Sequence, residues 1–323
     1  MSAPAQLSAR RVSRLRRSLL AWYGANRRDL PWRRTRHPYR IWVSEIMLQQ
    51  TRVAAVLLHY KKFLQRFPTV QKLAAAPESA VLAQWSGLGY YRRARNLHAA
   101  TKVIVNERSG KFAQTAEDWR SLPGIGRYTA SAIASIAFDE PVAVLDGNVE
   151  RVLGRLLGGA YSSGELWKWA EALLDRARPG DFNQAMMELG ALVCLPSQPR
   201  CSDCPIRSYC KTRGLGQKSP AKLRQYKRHV AYSLQHRSGT IRLVQRNEDE
   251  PLMPGMWELP QTVLNGEAKQ LFSVKHSITT TDYTVSVVRG RSEHGTWMQI
   301  SRLQELPLTG LTRKILRKAA IIQ

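Results

Sequence analysis

Acidic residues are scarce in this chain. Its 323 residues carry 24 Asp and Glu against 50 Lys and Arg, a formal charge of +26 at pH 7. The apolar fraction, 43%, is ordinary for a folded protein, so the imbalance is not a mark of disorder. A surplus of this size is an electrostatic footprint for a polyanion, and nucleic acid becomes the first partner to consider. Long apolar runs are absent too, so no helix is expected to span a membrane. No apolar leader follows the N-terminus, and a secreted protein is not expected. Met1 to Arg28 holds no acidic residue but carries Arg10, Arg11, Arg14, Arg16 and Arg17. This reads as a basic arm leading into a helix at Ser18–Tyr23, rather than as an organelle transit peptide. Internal repeats are missing as well, which excludes a solenoid.

Cysteine is absent everywhere except in one stretch, at Cys194, Cys201, Cys204 and Cys210. Without a secretory leader these thiols read as metal ligands and not as disulfides. Four thiols this close can reach one inorganic centre, and the set suits either zinc or an iron–sulfur cluster.

The length allows two or three domains. Residues 40 to 195 read as a succession of helices. Thr51 is a candidate N-cap for a helix ending at Pro68, and Ala94–Val105, Thr129–Phe138, Val149–Leu157 and Phe182–Cys194 continue the helical pattern. Thr212 to Arg228 reads as a basic linker. Beyond it, Val230–Gln235 and Thr240–Gln245 suggest a hairpin, Tyr283–Val288 and Thr296–Ile300 further strands, and Gly310–Ile321 a closing helix. An all-helical region thus precedes an α+β domain.

Leu122-Pro123-Gly124-Ile125-Gly126-Arg127-Tyr128 places two glycines in a tight turn before a helix, where backbone N–H groups of Gly124 and Gly126 can hold a phosphate. An ordinary inter-helix turn is the competing reading. Asp146 opens the next helix as an N-cap. Further strings are Leu30-Pro31-Trp32-Arg33, Trp42 to Thr51, Gly87-Leu88-Gly89-Tyr90-Tyr91 and Phe182 to Gly190. With the cysteine quartet, these strings resemble the helix-hairpin-helix DNA glycosylases that carry a [4Fe–4S] cluster, and within them the adenine-excising branch.

The resemblance implies a multidomain fold: an all-α helix-hairpin-helix core with a cluster loop, then a C-terminal α+β Nudix-like domain. Its segments are 1–28, a basic arm and first helix packing with the cluster domain; 29–143, catalytic; 144–211, cluster-bearing; 212–228, linker; and 229–323, lesion recognition. Glu45 lies among apolar residues, and a carboxyl so placed has a raised pKa that suits a general acid. By resemblance it protonates adenine N7, and Asp146 stabilises the oxocarbenium-like sugar. Bifunctional relatives such as endonuclease III carry a lysine at position 128. Here Tyr128 cannot form a Schiff base, so base excision without strand nicking is expected. Tyr128 is expected to position Glu45 or Asp146, and Asn148 to orient water or sugar. Arg28, Trp32, Arg33, Leu48 and Glu188 would line the pocket for the flipped adenine. Gln50, Thr51, Leu88 and Tyr90 would fill or wedge the vacated stack. The four cysteines would hold a [4Fe–4S] cluster, with Arg200, Arg207 and Lys211 reaching phosphates.

Leu252 to Pro260 resembles the family's Nudix-like domain, which reads 8-oxoguanine opposite the adenine. A Nudix hydrolase needs a Glu-dense helix for Mg²⁺. Only Glu267 lies between Pro260 and Val274, so no hydrolase activity is expected. Relatives carry a Phe-Ser-His loop where this chain has Ile278-Thr279-Thr280. Thr279 keeps a hydroxyl for the lesion, and an ordinary strand turn is the alternative. The expected partner is duplex DNA with an A:8-oxoguanine or A:G mispair, bound by a monomer in a bacterial cytoplasm on the nucleoid. The competing functions are a bifunctional glycosylase–lyase and a non-catalytic, cluster-bearing lesion binder.

Overall fold

The computed structural model describes residues 8–213, 225–250, 252–263, 269–278, 280–290 and 294–322. Eleven helices come first among the described elements: α1 (Ala9–Asn26), α2 (Pro38–Leu48), α3 (Val53–Arg66), α4 (Val70–Ala74), α5 (Glu78–Trp85), α6 (Arg92–Glu107), α7 (Ala116–Arg120), α8 (Arg127–Phe138), α9 (Gly147–Leu157), α10 (Ser163–Leu173) and α11 (Pro179–Leu192). Strands follow: β1 (Tyr226–Ser233), β2 (His236–Arg237), β3 (Thr240–Gln245), β4 (Trp257–Glu258), β5 (Gln261–Thr262), β6 (Lys269–Ile278), β7 (Thr281–Arg289) and β8 (Thr296–Gln299), with α12 (Gly310–Lys318) last. Two compact units emerge. One comprises Met1–Gln50 with Val103–Pro220, the other Thr51–Lys102 with Ala221–Gln323.

The first unit is all helical. In α2, Tyr39 and every residue from Ile41 to Met47 are buried and only Arg40 is exposed, so this is an interior helix. Residues Thr129 to Ile136 of α8 are buried as well, and small side chains let neighbours approach closely. Helix α9 is amphipathic: Val149, Val152, Leu153, Leu156 and Leu157 go inward. The Asp146 side chain caps its start, and Gly158 ends it in the left-handed region at φ 72°. At Gly190 of α11 an added Cβ would lie 2.6 Å from Asn148 Cβ, so only glycine permits this contact with α9.

The second unit joins α3–α5 and the start of α6 to the C-terminal sheets. One sheet has the order β5-β1-β7-β6, with β1 parallel to β7; the other is β2-β3-β4, with β8 on β3. Ile241, Leu243, Leu259, Val285, Val287, Ile315 and Leu316 form its centre. Lys314 and Lys318 of α12 donate to the Lys275 and Ser273 carbonyls at 2.6 and 2.8 Å, occupying acceptors along edge strand β6. The Ser86 and Tyr91 hydroxyls both donate to the Leu308 carbonyl, at 2.6 and 3.2 Å.

Several sequence expectations are corrected. The first helix runs from Ala9 to Asn26, well beyond Ser18–Tyr23, because Ser8 caps it early. Thr51 is not an N-cap; Arg52 holds that place, without a side-chain cap bond. The Phe182–Cys194 helix begins at Pro179 and stops at Leu192, leaving Cys194 in the following turn. The anticipated hairpin of residues 230–245 is not one ladder. Only β2 pairs with β3, while β1 pairs with β7 and β5 in the other sheet, since alternation marks a strand but not its partner. Part of the expected linker, Tyr226 to Arg228, belongs to β1. Lys275 to Ile278 is strand paired to β7, not loop, and Thr279 lies outside the described residues.

Gly190→Ala should destabilise the first unit by about 1–3 kcal/mol through overpacking against α9. Thermal unfolding of the variant beside wild type measures this.

Candidate active site

Glu45 sits in α2 and is 6% exposed. The Tyr128 hydroxyl, from the first turn of α8, donates to Glu45 Oε2 at 2.9 Å. Burial pushes the Glu45 carboxyl from 4.5 up to about 7. The Tyr128 hydrogen bond opposes that rise, the negative charge of Asp146 adds to it, and Arg33 opposes it. Near neutrality the group therefore exchanges a proton, as a general acid must. Tyr128 is pushed well above its ordinary value, by burial first and then by the Glu45 and Asp146 charges, so it stays a neutral hydrogen-bond donor. The structure thus joins Tyr128 to Glu45 directly.

Asp146 caps α9 with one oxygen, accepting from Val149 N at 2.8 Å. Its other oxygen accepts from Asn148 Nδ2 at 2.9 Å. The Asn148 amide oxygen accepts from Arg151 Nη2 at 2.8 Å, and the same arginine donates to the carbonyls of Gly190 at 2.7 Å and Cys194 at 2.8 Å. An unbroken chain of hydrogen bonds therefore runs from the first cysteine's backbone to Asp146. Asn183 secures the segment leading in: it accepts from Val144 N at 3.2 Å and donates to the Val142 carbonyl at 2.9 Å. Arg151 and Asn183 were not singled out from sequence. The only hint at Arg151 was its position one helical turn after Asn148.

Glu188 is 1% exposed and accepts from Arg28 N, Nε and Nη2 and from Arg33 Nη1 and Nη2, at 2.6–3.0 Å. Burial alone would raise its pKa, but the hydrogen bonds from Arg33 and Arg28 hold it at about 2. A carboxylate offers about four lone-pair sites, so these five donors saturate it. Glu188 is a post that fixes two arginines, and in this arrangement it does not have an acceptor to offer a purine edge. Arg33 also lies over the Tyr23 ring at 5.6 Å. Trp32 is buried at 6% exposure, and Leu48 is half-buried at the end of α2.

In the turn before α8, Gly124 is left-handed at φ 73° and Gly126 is the N-cap of α8. Both are exposed while Ile125 between them is buried, so the backbone faces solvent on an anchored turn. The four cysteines line a single pocket with Arg155, Arg200 and Arg207. Arg155 donates to the Leu195 and Pro196 carbonyls at 2.6 and 2.7 Å and to Cys194 Sγ at 3.3 Å. Burial raises the Cys204 thiol to about 11. Among the described residues no group of three His, Cys, Asp or Glu is gathered to hold one metal ion. Arg200, Arg207 and Lys211 are exposed.

In the second unit, Leu88, Tyr90, Met253, Pro254, His276 and Ile278 line one cavity. Leu88 is buried, whereas Tyr90 is 48% exposed and left-handed at φ 49°. Thr51 Oγ1 accepts from Arg93 at 3.1 Å. Gln50, at the end of the first unit, is exposed at φ 54°.

The profile of the HhH-GPD superfamily of base excision DNA repair proteins matches residues 43–165. A solved thermostable thymine-DNA glycosylase is 30% identical with a TM-score of 0.58, and the match covers 62% of this chain and 95% of that one. The chain belongs to the HhH-GPD superfamily. The matched span holds Glu45, Tyr128, Asp146 and the Gly124–Gly126 turn; the cysteines lie beyond it. A DNA complex of endonuclease III, 22% identical with a TM-score of 0.56 over 64% of this chain and 97% of that one, shares the HhH-GPD fold. Adenine DNA glycosylase of Homo sapiens is 50% identical over 217 residues, covering 62% of this chain and 40% of that protein. The Arabidopsis thaliana enzyme is 39% identical over 311 residues, covering 81% of this chain and 49% of that protein. The chain thus spans about half the length, or less, of these two relatives.

The raised Glu45 value makes stability depend on pH. The fold disfavours the carboxylate, so this contribution is full below the ordinary value of 4.5 and is lost as pH rises through about 7. The loss is about 3 kcal/mol. Glu45→Gln should therefore melt above wild type near about pH 8, and the gap should close near about pH 4. Parallel melting curves across that range check it.

Proposed function

We propose that this chain is a monofunctional adenine DNA glycosylase of base excision repair, acting on adenine opposite 8-oxoguanine or G. The observation that carries the reading is the buried Glu45 carboxyl, raised to about 7 and held by Tyr128, where a lyase would need an amine. Protonated Glu45 delivers its proton to adenine N7. The C1′–N9 bond then breaks, and its electron pair leaves with the base. The sugar left behind is an oxocarbenium-like cation, faced by the Asp146 carboxylate. Asp146 accepts two hydrogen bonds, from Val149 and Asn148, which keep it oriented as the anion this step needs. Water adds to C1′ and a base takes its proton; deprotonated Glu45 is suited to that second transfer. No covalent sugar–amine intermediate forms, because position 128 carries a phenol that stays neutral.

The exposed glycine turn at 124–126 and the basic residues Arg200, Arg207 and Lys211 are suited to phosphates, and the charge of +26 favours duplex DNA as partner. Tyr90 and Leu88 are the wedge. They share a cavity with His276 and Ile278, which supports reading this cavity as the place of the base opposite the adenine. The paired sheets and α12 support a Nudix-like lesion-recognition domain at 229–323. The segments 1–28, 29–143 and 144–211 keep the roles assigned by resemblance, and the linker gives up Tyr226 to Arg228 to β1. The four thiols fit a [4Fe–4S] cluster: they line one pocket, and each can serve one iron. When bound, such a cluster supplies a rigid clamp on residues 194–210. Arg155 and Arg151 grip the same segment through its carbonyls, and Arg151 carries its position to Asp146 through Asn148.

Single-turnover adenine release from A:8-oxoguanine duplex should fall by ~10²-fold or more in Glu45→Gln. In wild type it should decline as pH rises above about 7, and borohydride should trap no protein–DNA adduct. Near-normal release by the variant, or a trapped adduct, overturns the mechanism. Arg151→Met should slow release ~10- to 100-fold by freeing Asn148, with duplex affinity changed far less. Titration of a cleavage-resistant duplex measures the affinity.

A further inference from the structure

We propose that Arg93 is a positioning residue for base flipping, the group that holds Tyr90 and Leu88 in the conformation in which they wedge the duplex. The proposal rests on the glycosylase reading above. In the loop between α5 and α6, Gly87 and Gly89 take φ of 107° and 71°, which glycine adopts freely, and Tyr90 follows them into the left-handed region at φ 49°. A tyrosine in the left-handed region is strained, so neighbouring groups must fix it there. Its ring is also 48% exposed, so packing of the ring supplies only part of that hold.

Arg93 supplies the rest. Its Nη2 donates to the carbonyls of Leu88 at 3.3 Å and Gly89 at 3.1 Å and to Thr51 Oγ1 at 3.1 Å. The guanidinium lies 5.5 Å from the Trp85 ring and 5.5 Å from the Tyr90 ring, touching a buried aromatic and the exposed one. Trp85 adds a bond of its own, Nε1 to the Gly89 carbonyl at 3.2 Å. Burial lowers the Arg93 pKa only to about 10, so it remains a cation at neutrality and keeps both ring contacts. One end of its guanidinium, Nη2, meets the carbonyls while the group as a whole lies within cation–π distance of both rings; a lysine ammonium, a compact point charge, lacks that reach. Arg93 is therefore placed to stiffen the wedge before DNA arrives, so that ordering cost is not incurred during insertion.

The test uses the full chain and a duplex with 2-aminopurine beside the mispaired adenine, whose fluorescence rises when the adenine leaves the stack. Arg93→Lys should cut the flipping amplitude and single-turnover release ~10-fold, with binding to undamaged duplex within ~3-fold of wild type. Tyr90→Ala should do the same, and the double variant should lose less than the product of the two single losses, because Arg93 acts through the same wedge. Gly89→Ala covers the case in which Arg93→Lys fails to fold. Nothing lies within 4 Å of the added Cβ, but φ 71° strains it, so it disturbs the loop without touching the core. It should also lose flipping, with its melting temperature lowered by only about a few degrees. Normal flipping by Arg93→Lys or by Gly89→Ala, or full additivity with Tyr90→Ala, overturns the proposal. Normal flipping by Tyr90→Ala overturns it together with the wedge reading, and absence of adenine release by wild type overturns the glycosylase reading itself.

Discussion

A single carboxyl withdrawn from water organises the first unit. Glu45 lies in a largely buried helix, and its charged form is disfavoured there by burial. One hydroxyl, that of Tyr128, partly offsets the penalty. The balance leaves the group near neutrality in pKa. More stabilisation of the carboxylate would make it a permanent anion; none would make it a permanent neutral acid. The arrangement asks for a donor that never ionises itself, and Tyr128 meets that need because burial and two nearby carboxylates keep its proton in place.

The second carboxyl has different neighbours. Asp146 is half-buried at a helix N-terminus and accepts from a backbone amide and a side-chain amide. Two acids close enough to influence each other electrostatically thus sit in different surroundings. The orientation of Asp146 is supported from behind. Arg151 ties Asn148 to the carbonyls of Gly190 and Cys194, so the cysteine-bearing segment, α11 and α9 share one set of bonds. The glycine at 190 makes that closeness possible.

Much of this was legible in the chain itself. Glu45 stood out because apolar residues flank it on both sides, and a helix of that composition must be interior. The Gly124–Gly126 turn, the cap at Asp146 and the pocket of four cysteines follow from local patterns that sequence displays directly. Other features were not legible. Glu188 looked like a group for a purine edge, yet two arginines from 155 and 160 residues away occupy both its oxygens. Residues 230–245 alternate as strands should, yet β1 and β3 lie in different sheets. Arg93 and Arg151 were two arginines among many in a basic chain until their partners were seen.

The sequence by itself determined the sign of the partner, the helical character of most of the chain, the soft-ligand cluster and the lack of an amine at position 128. Each is a property of residue type or of spacing along one segment. Only the tertiary structure decided that Glu45 titrates near 7, that Tyr128 is its donor, that Glu188 is saturated and which strands pair. Those depend on distances between groups far apart in sequence, and both electrostatic and hydrogen-bond energies are set by distance in space.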